Sequence, residues 1–132
     1  MTTAGERFAQ ALAGKDGAGL RALLADPVDF QALTPGRHWE ASTSQQVAEE
    51  IILGRWFGPG DDIEELCSVS TGRVAEREHV TYQVRVRRGG RGYLVEQHAY
   101  YDTDGPRITW MRVLCSGYQL VPGRPGAGLR TD

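Results

Sequence analysis

Lysine is almost missing from this chain: Lys15 is the only one, and the other fourteen basic residues are arginines. We read that as coding bias. Cysteine is scarce as well. Cys67 and Cys115 stand far apart, with no C-x-x-C pair and no histidine cluster beside them, so neither a zinc site nor a redox motif is spelled out. In a reducing compartment both are expected as small buried apolar residues, with a reactive Cys115 as the alternative. No stretch approaches the roughly 20 consecutive apolar residues of a spanning helix, and Met1-Thr-Thr-Ala-Gly-Glu lacks the basic start and apolar core of a secretion signal. A soluble, cytoplasmic protein with no membrane partner is the expectation. An excess of one charge is also lacking. The formal net charge of −2 argues against a nucleic-acid partner, since dedicated binders carry a basic surplus.

What is present is enough for one domain: 132 residues, 40% hydrophobic and 24% charged. Phe8, Ala11 and Leu12 recur at helical spacing. After the break at Gly14-Lys15-Asp16-Gly17, Leu20, Leu23 and Leu24 do so again, until Asp26-Pro27 ends the run. Val28 to Leu33 reads as a short strand closed by Thr34-Pro35-Gly36. A third helix follows, capped by Ser42 or Ser44, with Val47, Ile51, Ile52 and Trp56 near one face, and stopped by Gly58-Pro59-Gly60.

From Asp61 the period changes to two, which marks sheet. Ile63, Leu66 and Val69 form one segment with Ser70-Thr71-Gly72 as its turn. The next strand runs from about Arg73 to Arg88, and Gly89-Gly90 makes a tight hairpin. Tyr93 to Asp102 returns, Thr103-Asp104-Gly105-Pro106 turns, and Arg107 to Leu120 is the last strand. Pro122 to Asp132, rich in Gly and Pro, is expected as a disordered tail on a single domain spanning 1–121. Helices first and an antiparallel meander afterwards make the class α+β.

A tight Gly89-Gly90 turn sets Val86 opposite Tyr93, Val84 opposite Val95, Tyr82 opposite Gln97 and Val80 opposite Ala99. Across the next turn Ala99 would neighbour Met111, Gln97 would neighbour Val113, and Val95 would neighbour Cys115. That face is mostly apolar and is expected to lie under the helices. The other face collects Thr81, Gln83, Arg85, Glu96, His98, Tyr100, Trp110, Arg112 and Tyr118, and is left for solvent or another subunit.

The order helix, helix, strand, helix, long meander, ending in Val95-Glu-Gln-His-Ala-Tyr-Tyr-Asp102 and Ile108-Thr-Trp-Met-Arg-Val-Leu-Cys-Ser-Gly117, resembles the nuclear transport factor 2-like superfamily. This group includes ketosteroid isomerase, limonene epoxide hydrolase, scytalone dehydratase and SnoaL-like polyketide cyclases. The resemblance covers about Glu6 to Val121 and implies a cystatin-like cone: about three helices packed on a curved sheet around an apolar pocket. It also implies cofactor-free chemistry where there is any, and dimerisation through the outer sheet face. In the isomerase-like pattern a general-base aspartate precedes the first-strand glycine turn; the matching position here is Leu33, which cannot take a proton. The acid that donates to the oxyanion on the penultimate strand is matched by Gln97, still a hydrogen-bond donor. No inward Asp-Arg-Asp set matches the epoxide hydrolases. The cyclase-like acid/base candidates, His98 and Arg112, fall by parity on the outer face, and a slip of one residue would reverse that.

Ligand-contact candidates are therefore Tyr82, Tyr93, Gln97, Tyr101, Met111, Val113 and Cys115 on the covered face, with Trp39 and Trp56 near the mouth. Each is equally a core residue with its polar atom satisfied. Asp29, if it points inward, is the best remaining general base, and His38 with Glu40 beside Trp39 is a second acid/base candidate, against a plain lid or dimer contact. His79, Glu96, His98, Tyr100, Trp110 and Arg112 read best as a homodimer interface. Arg85, Arg87, Arg88 and Arg91 read as a charged hairpin tip. Three functions stay open: a cofactor-free isomerase, cyclase or dehydratase acting on an apolar polyketide- or steroid-like molecule, a non-catalytic binder of such a molecule, and an interaction module working through the outer face. No cofactor or metal is expected.

Overall fold

The computed structural model describes residues 2–121, so the tail expected from Pro122 to Asp132 lies outside the described residues. The chain begins with helix α1 (Ala4–Ala13), started by a reciprocal cap: the Glu6 N–H donates to Thr3 Oγ1 and the Thr3 N–H to Glu6 Oε1. Phe8, Ala9 and Leu12 are buried along one stripe. At Gly5 the helix comes close to the sheet. A Cβ there would lie 2.7 Å from the Tyr101 hydroxyl and 2.8 Å from Val80 Cβ, so only glycine fits. Helix α2 (Gly17–Leu23) starts at Asp16, whose carboxylate accepts from the Gly19 N–H.

Strand β1 (Leu24–Thr34) is longer than the expected Val28 to Leu33 and runs straight on from α2. Pro27, which has no N–H to give, sits where its pairing is interrupted. The stretch after Pro35-Gly36 is a strand rather than a loop: β2 (Arg37–Ala41) folds back antiparallel on β1, with Leu33 opposite His38. Helix α3 (Gln46–Trp56) has the wide turns of a π-helix, closing on a bond from the Phe57 N–H to the Ile52 carbonyl. Its first turn is capped by Thr43, whose hydroxyl accepts from the Gln46 N–H. Ser44, one of the two expected caps, instead gives both its N–H and its hydroxyl to the Asp26 carboxylate.

The remaining chain is a meander of β3 (Asp61–Val74), β4 (Arg77–Arg88), β5 (Arg91–Asp104) and β6 (Arg107–Cys115), followed by the short β7 (Gln119–Leu120). The strand order is β2-β1-β6-β5-β4-β3, with β7 beside β5; only β1 and β6 run parallel. The protein is thus α+β, three helices on a seven-stranded, mostly antiparallel open sheet. The β4–β5 register is the one the glycine hairpin dictates, Tyr82 opposite Gln97 included.

Three details of the meander differ from expectation. Ser70-Thr71-Gly72 is paired strand, and the turn falls at Ala75-Glu76. Ile63, Leu66 and Val69 face inward at a spacing of three because two bulges each insert one residue, leaving them opposite Val86, Val84 and Tyr82. Across the β5–β6 turn Asp104 pairs with Arg107 and a one-residue shift follows at Asp102, which together leave the register two residues from the expected one, so that Gln97 meets Cys115 and Ala99 meets Val113. A shift of two conserves the face. Val28, Phe30, Ala32, Val80, Tyr82, Val84, Val86, Val95, Gln97, Ala99, Tyr101, Met111, Val113 and Cys115 are all buried on the covered side, in one cluster with the helices.

The end of α3 is fixed to the hairpin tip by charge. Asp61 is buried, accepts from the Gly58 N–H, and binds Arg88 through two bonds of 2.6 and 2.9 Å. The sole lysine joins it, Lys15 donating to the carbonyls of Gly58 and Asp61. The Arg88 hydrogen bonds outweigh burial and hold the Asp61 carboxyl below its usual range. Asp61→Asn is expected to cost about 1–2 kcal/mol in urea unfolding at neutral pH, Arg88 being partly solvated. Because folding lowers this pKa, its contribution is present above about pH 4 and is lost as pH falls through the folded-state value. The gap between wild type and variant should therefore shrink towards pH 3; a gap constant from pH 7 to pH 3 would contradict the assignment.

Candidate functional site

Strand β6 ends at Cys115 rather than continuing to Leu120, and that break opens a pocket. Gly117 takes φ +75° and packs beneath Pro35, where a Cβ would approach Pro35 Cγ to 2.7 Å. Beyond the kink, Tyr118 turns back towards α3: its hydroxyl donates to the Trp56 carbonyl, its ring lies 6.1 Å from Phe57, and the Arg88 guanidinium stacks 3.7 Å above it. Burial keeps the Tyr118 phenol neutral well beyond its ordinary range. The space left between the ends of β1, α3 and the sheet is about 470 Å³, within the usual span for small-molecule sites.

At the inner end of this pocket stand Gln97 and Trp56, 1% and 6% exposed. Tyr82 lies behind Gln97, and its hydroxyl donates to Gln97 Oε1 at 2.5 Å. The phenol proton needs an acceptor, which fixes the amide with its oxygen towards Tyr82 and its NH2 turned away. Burial pushes the Tyr82 pKa far up, so this hydroxyl stays a donor. Gln97 Nε2 is buried without a hydrogen-bond partner, and so is Trp56 Nε1. An unpaired buried donor costs about 1–3 kcal/mol, and native proteins keep few of them. Here two belong to residues that line one pocket.

The other expected contacts are distributed differently. Cys115 lines the same pocket, its sulfur accepting from the Gly117 N–H. Tyr93 packs edge-on against Tyr118 at 5.4 Å and reaches the pocket only through that ring. Tyr101 is tied to α1, its hydroxyl accepting from the Gly5 N–H at 2.8 Å, while Met111 and Val113 are core. Trp39 is edge-on to Trp56 at 6.1 Å and donates to the Thr34 hydroxyl, and it is not itself part of the lining. Val95, Phe57, Ser116, Tyr118, Gln119 and Arg55 are among the further lining residues that were not singled out as pocket residues. The Ser116-Gly117 pair was the available sign, since glycine late in a strand marks a break.

None of the three acid/base candidates enters this pocket. Val28 and Phe30 are buried, so alternation turns Asp29 outward, where it pairs with Arg112 at 3.0 Å. His38 is exposed on the same outer side, 3.1 Å from Gln31, and Glu40 is exposed one step further along β2. Asp29, Gln31 and Glu40 border a groove of about 610 Å³ beside β1 and β2, away from both unpaired donors. Among the described residues no three His, Cys, Asp or Glu side chains group as a metal would require.

The outer face carries a polar and aromatic array. Glu96 accepts from Gln83 and pairs with His98 at 2.5 Å, which holds its carboxyl below the usual range; His79 packs against His98 and Tyr100, with desolvation lowering its pKa. Trp110 lies between the guanidinium groups of Arg77 and Arg112, at 3.5 and 4.5 Å.

No protein-family model matches the sequence, and no curated protein matches it. Solved structures do. A nuclear transport factor 2-like protein from Burkholderia thailandensis superposes with a TM-score of 0.66 at 10% identity, over 88% of this chain and 92% of that one. A candidate isomerase from Bacillus subtilis gives 0.68 at 14% identity, over 86% and 84%. A candidate polyketide cyclase from Xanthomonas campestris gives 0.64 at 15%, over 84% and 86%. The fold is therefore that of nuclear transport factor 2-like proteins, and among the described residues no helix is long and apolar enough to cross a membrane.

The Tyr82–Gln97 pair can be tested in isolation. Tyr82→Phe strands Gln97 Oε1 and is expected to cost about 1–2 kcal/mol. Adding Gln97→Leu removes both orphaned groups at once and should recover part of that loss in a double-mutant cycle; strictly additive effects would mean the two side chains do not act together.

Proposed function

We propose that this protein binds an apolar small molecule through an acceptor oxygen, such as a ketone, held by Gln97 Nε2 and Trp56 Nε1. The observation that carries this reading is the pair of buried, unpartnered donors lining one pocket of about 470 Å³. Two N–H groups aimed at one oxygen also polarise it, which favours the enolate form of a ketone. That is the electrophilic half of isomerase or cyclase chemistry, and it needs no cofactor. Among the described lining residues there is no carboxylate or imidazole to move the proton, which favours binding and polarisation over a complete base-catalysed cycle. The likeness in fold to a candidate isomerase and a candidate polyketide cyclase supports a small-molecule role.

A second reading concerns the outer face, where we place a second copy of the chain. Leu33 and Leu114, 51% and 60% exposed, are direct neighbours in the parallel β1–β6 register, and the row continues into His98. The next row holds Gln31, Arg112, Tyr100 and His79, and Trp110 follows on β6. Exposed leucine beside Trp, Tyr and Arg is the composition of interface cores.

The pocket is tested with 2-acetylnaphthalene and 2-ethylnaphthalene, which differ in the ketone, by following backbone amide shifts. The ketone should bind more tightly to wild type, and Trp56→Phe and Gln97→Leu should each weaken it about five- to tenfold. Equal binding of the two compounds, or affinities untouched in both variants, would reject the site. For the interface, Leu114→Asp and Trp110→Asp should yield monomers in light scattering; a mass unchanged from wild type would reject it.

A further inference from the structure

The polar groups at the buried end of this pocket are unequal in a specific way: the side-chain acceptors are occupied and two donors are free, while Gln119, with its amide nitrogen given to the Ser116 carbonyl, lies at the exposed rim. Gln97 Oε1 is taken by Tyr82, Cys115 Sγ by the Gly117 N–H, and the Trp56 carbonyl by Tyr118. Thr34 Oγ1 is taken by Trp39, and Ser116 Oγ accepts from the Glu96 N–H while donating to the Gly117 carbonyl. On the donor side Gln97 Nε2 and Trp56 Nε1 have no partner.

Two arginines reach the lining, and they differ. Arg88 is neutralised by the Asp61 carboxylate, to which it donates two hydrogen bonds. Arg55, exposed in the last turn of α3, has no ion pair or hydrogen bond among the described residues. The Trp39 ring stands 5.4 Å from its guanidinium carbon. Glu40 and Glu50 border the adjoining groove that Arg55 also touches, and neither pairs with it. The pocket therefore holds free neutral donors at its buried end and a free cation at its exposed end, with no carboxylate in its lining to offset the charge.

Resting on the pocket reading above, we infer that the ligand is an anion: an apolar oxo acid whose keto oxygen meets Gln97 and Trp56 and whose carboxylate meets Arg55. A carboxylate is acceptor-only, which matches the unpaired donors of Gln97, Trp56 and Arg55, and guanidinium recognises it through paired N–H groups. A neutral ligand satisfies the inner donors and leaves Arg55 idle. A hydroxyl-rich ligand brings donors into a place whose acceptors are already spent. Arg55 is then the residue that determines specificity, setting charge preference while the inner donors set orientation.

The test compares 6-acetyl-2-naphthoate, its methyl ester and 2-naphthoate, titrated into wild type, Arg55→Gln and Gln97→Leu and followed by backbone amide shifts. In wild type at low salt the oxo acid should bind about tenfold more tightly than its ester, and the advantage should shrink as salt is added. In Arg55→Gln the acid-to-ester ratio should fall towards one. In Gln97→Leu that ratio should persist, while the advantage of the oxo acid over 2-naphthoate is lost. An acid and ester of equal affinity in wild type, or a ratio unmoved by Arg55→Gln, overturns the charge inference and leaves the pocket reading standing if the ketone still matters through Gln97. Absence of any shift around the pocket with all three compounds overturns both.

Discussion

A buried amide has two ends, and in Gln97 their fates differ. One end accepts from Tyr82 across the β4–β5 pair, which holds the side chain in a single orientation. The other is left pointing away from that bond with nothing to meet. The first interaction makes the second possible: without the phenol as a fixed donor, the amide would be free to exchange its ends. Everything chemical about the pocket follows from that asymmetry. It turns a residue that is formally donor and acceptor into a donor alone, in surroundings where unpaired polarity is costly.

The shape of the pocket comes from irregularities in a regular sheet. Two bulges in β3 let residues spaced by three keep facing the helices, and the β5–β6 turn together with the shift at Asp102 changes the partners by two without changing their face. The kink at Ser116-Gly117 does more. It ends β6 at Cys115, swings Tyr118 onto the Trp56 carbonyl, and leaves the space that Gln97 and Trp56 line. The wide-turned α3 delivers Trp56 and Arg55 to the same place, one buried and one exposed. Across the sheet, the same alternation that keeps the inner face apolar sends Asp29 and Arg112 outward into an ion pair and Glu96 and His98 outward into a hydrogen bond.

Most of the architecture was legible in the residues. Helical spacing at Phe8 and Leu12, the glycine break before α2 and the Gly89-Gly90 hairpin are local properties, and each fell where the pattern put it. The resemblance to nuclear transport factor 2-like proteins was carried by element order, and the superpositions agree on the fold. Less legible were features that depend on contacts distant in sequence. Ser70-Thr71-Gly72 has turn composition, yet pairing with β4 holds it as strand. Asp29 had two possible directions, and its neighbours Val28 and Phe30 decided between them by burial. Arg55 drew no attention because an arginine at a helix end is commonplace. Only its lack of a partner sets it apart.

By itself the sequence determined period, class and the pairing of Tyr82 with Gln97, because these rest on local geometry: a two-residue turn leaves one register, and a period of two leaves one face. Only the tertiary structure decided which polar atoms stay unpaired. Hydrogen-bond satisfaction is a property of a whole environment. Whether Gln97 Nε2, Trp56 Nε1 and Arg55 have partners depends on where β1, α3 and the kink after β6 come together, and no stretch of chain contains that meeting point.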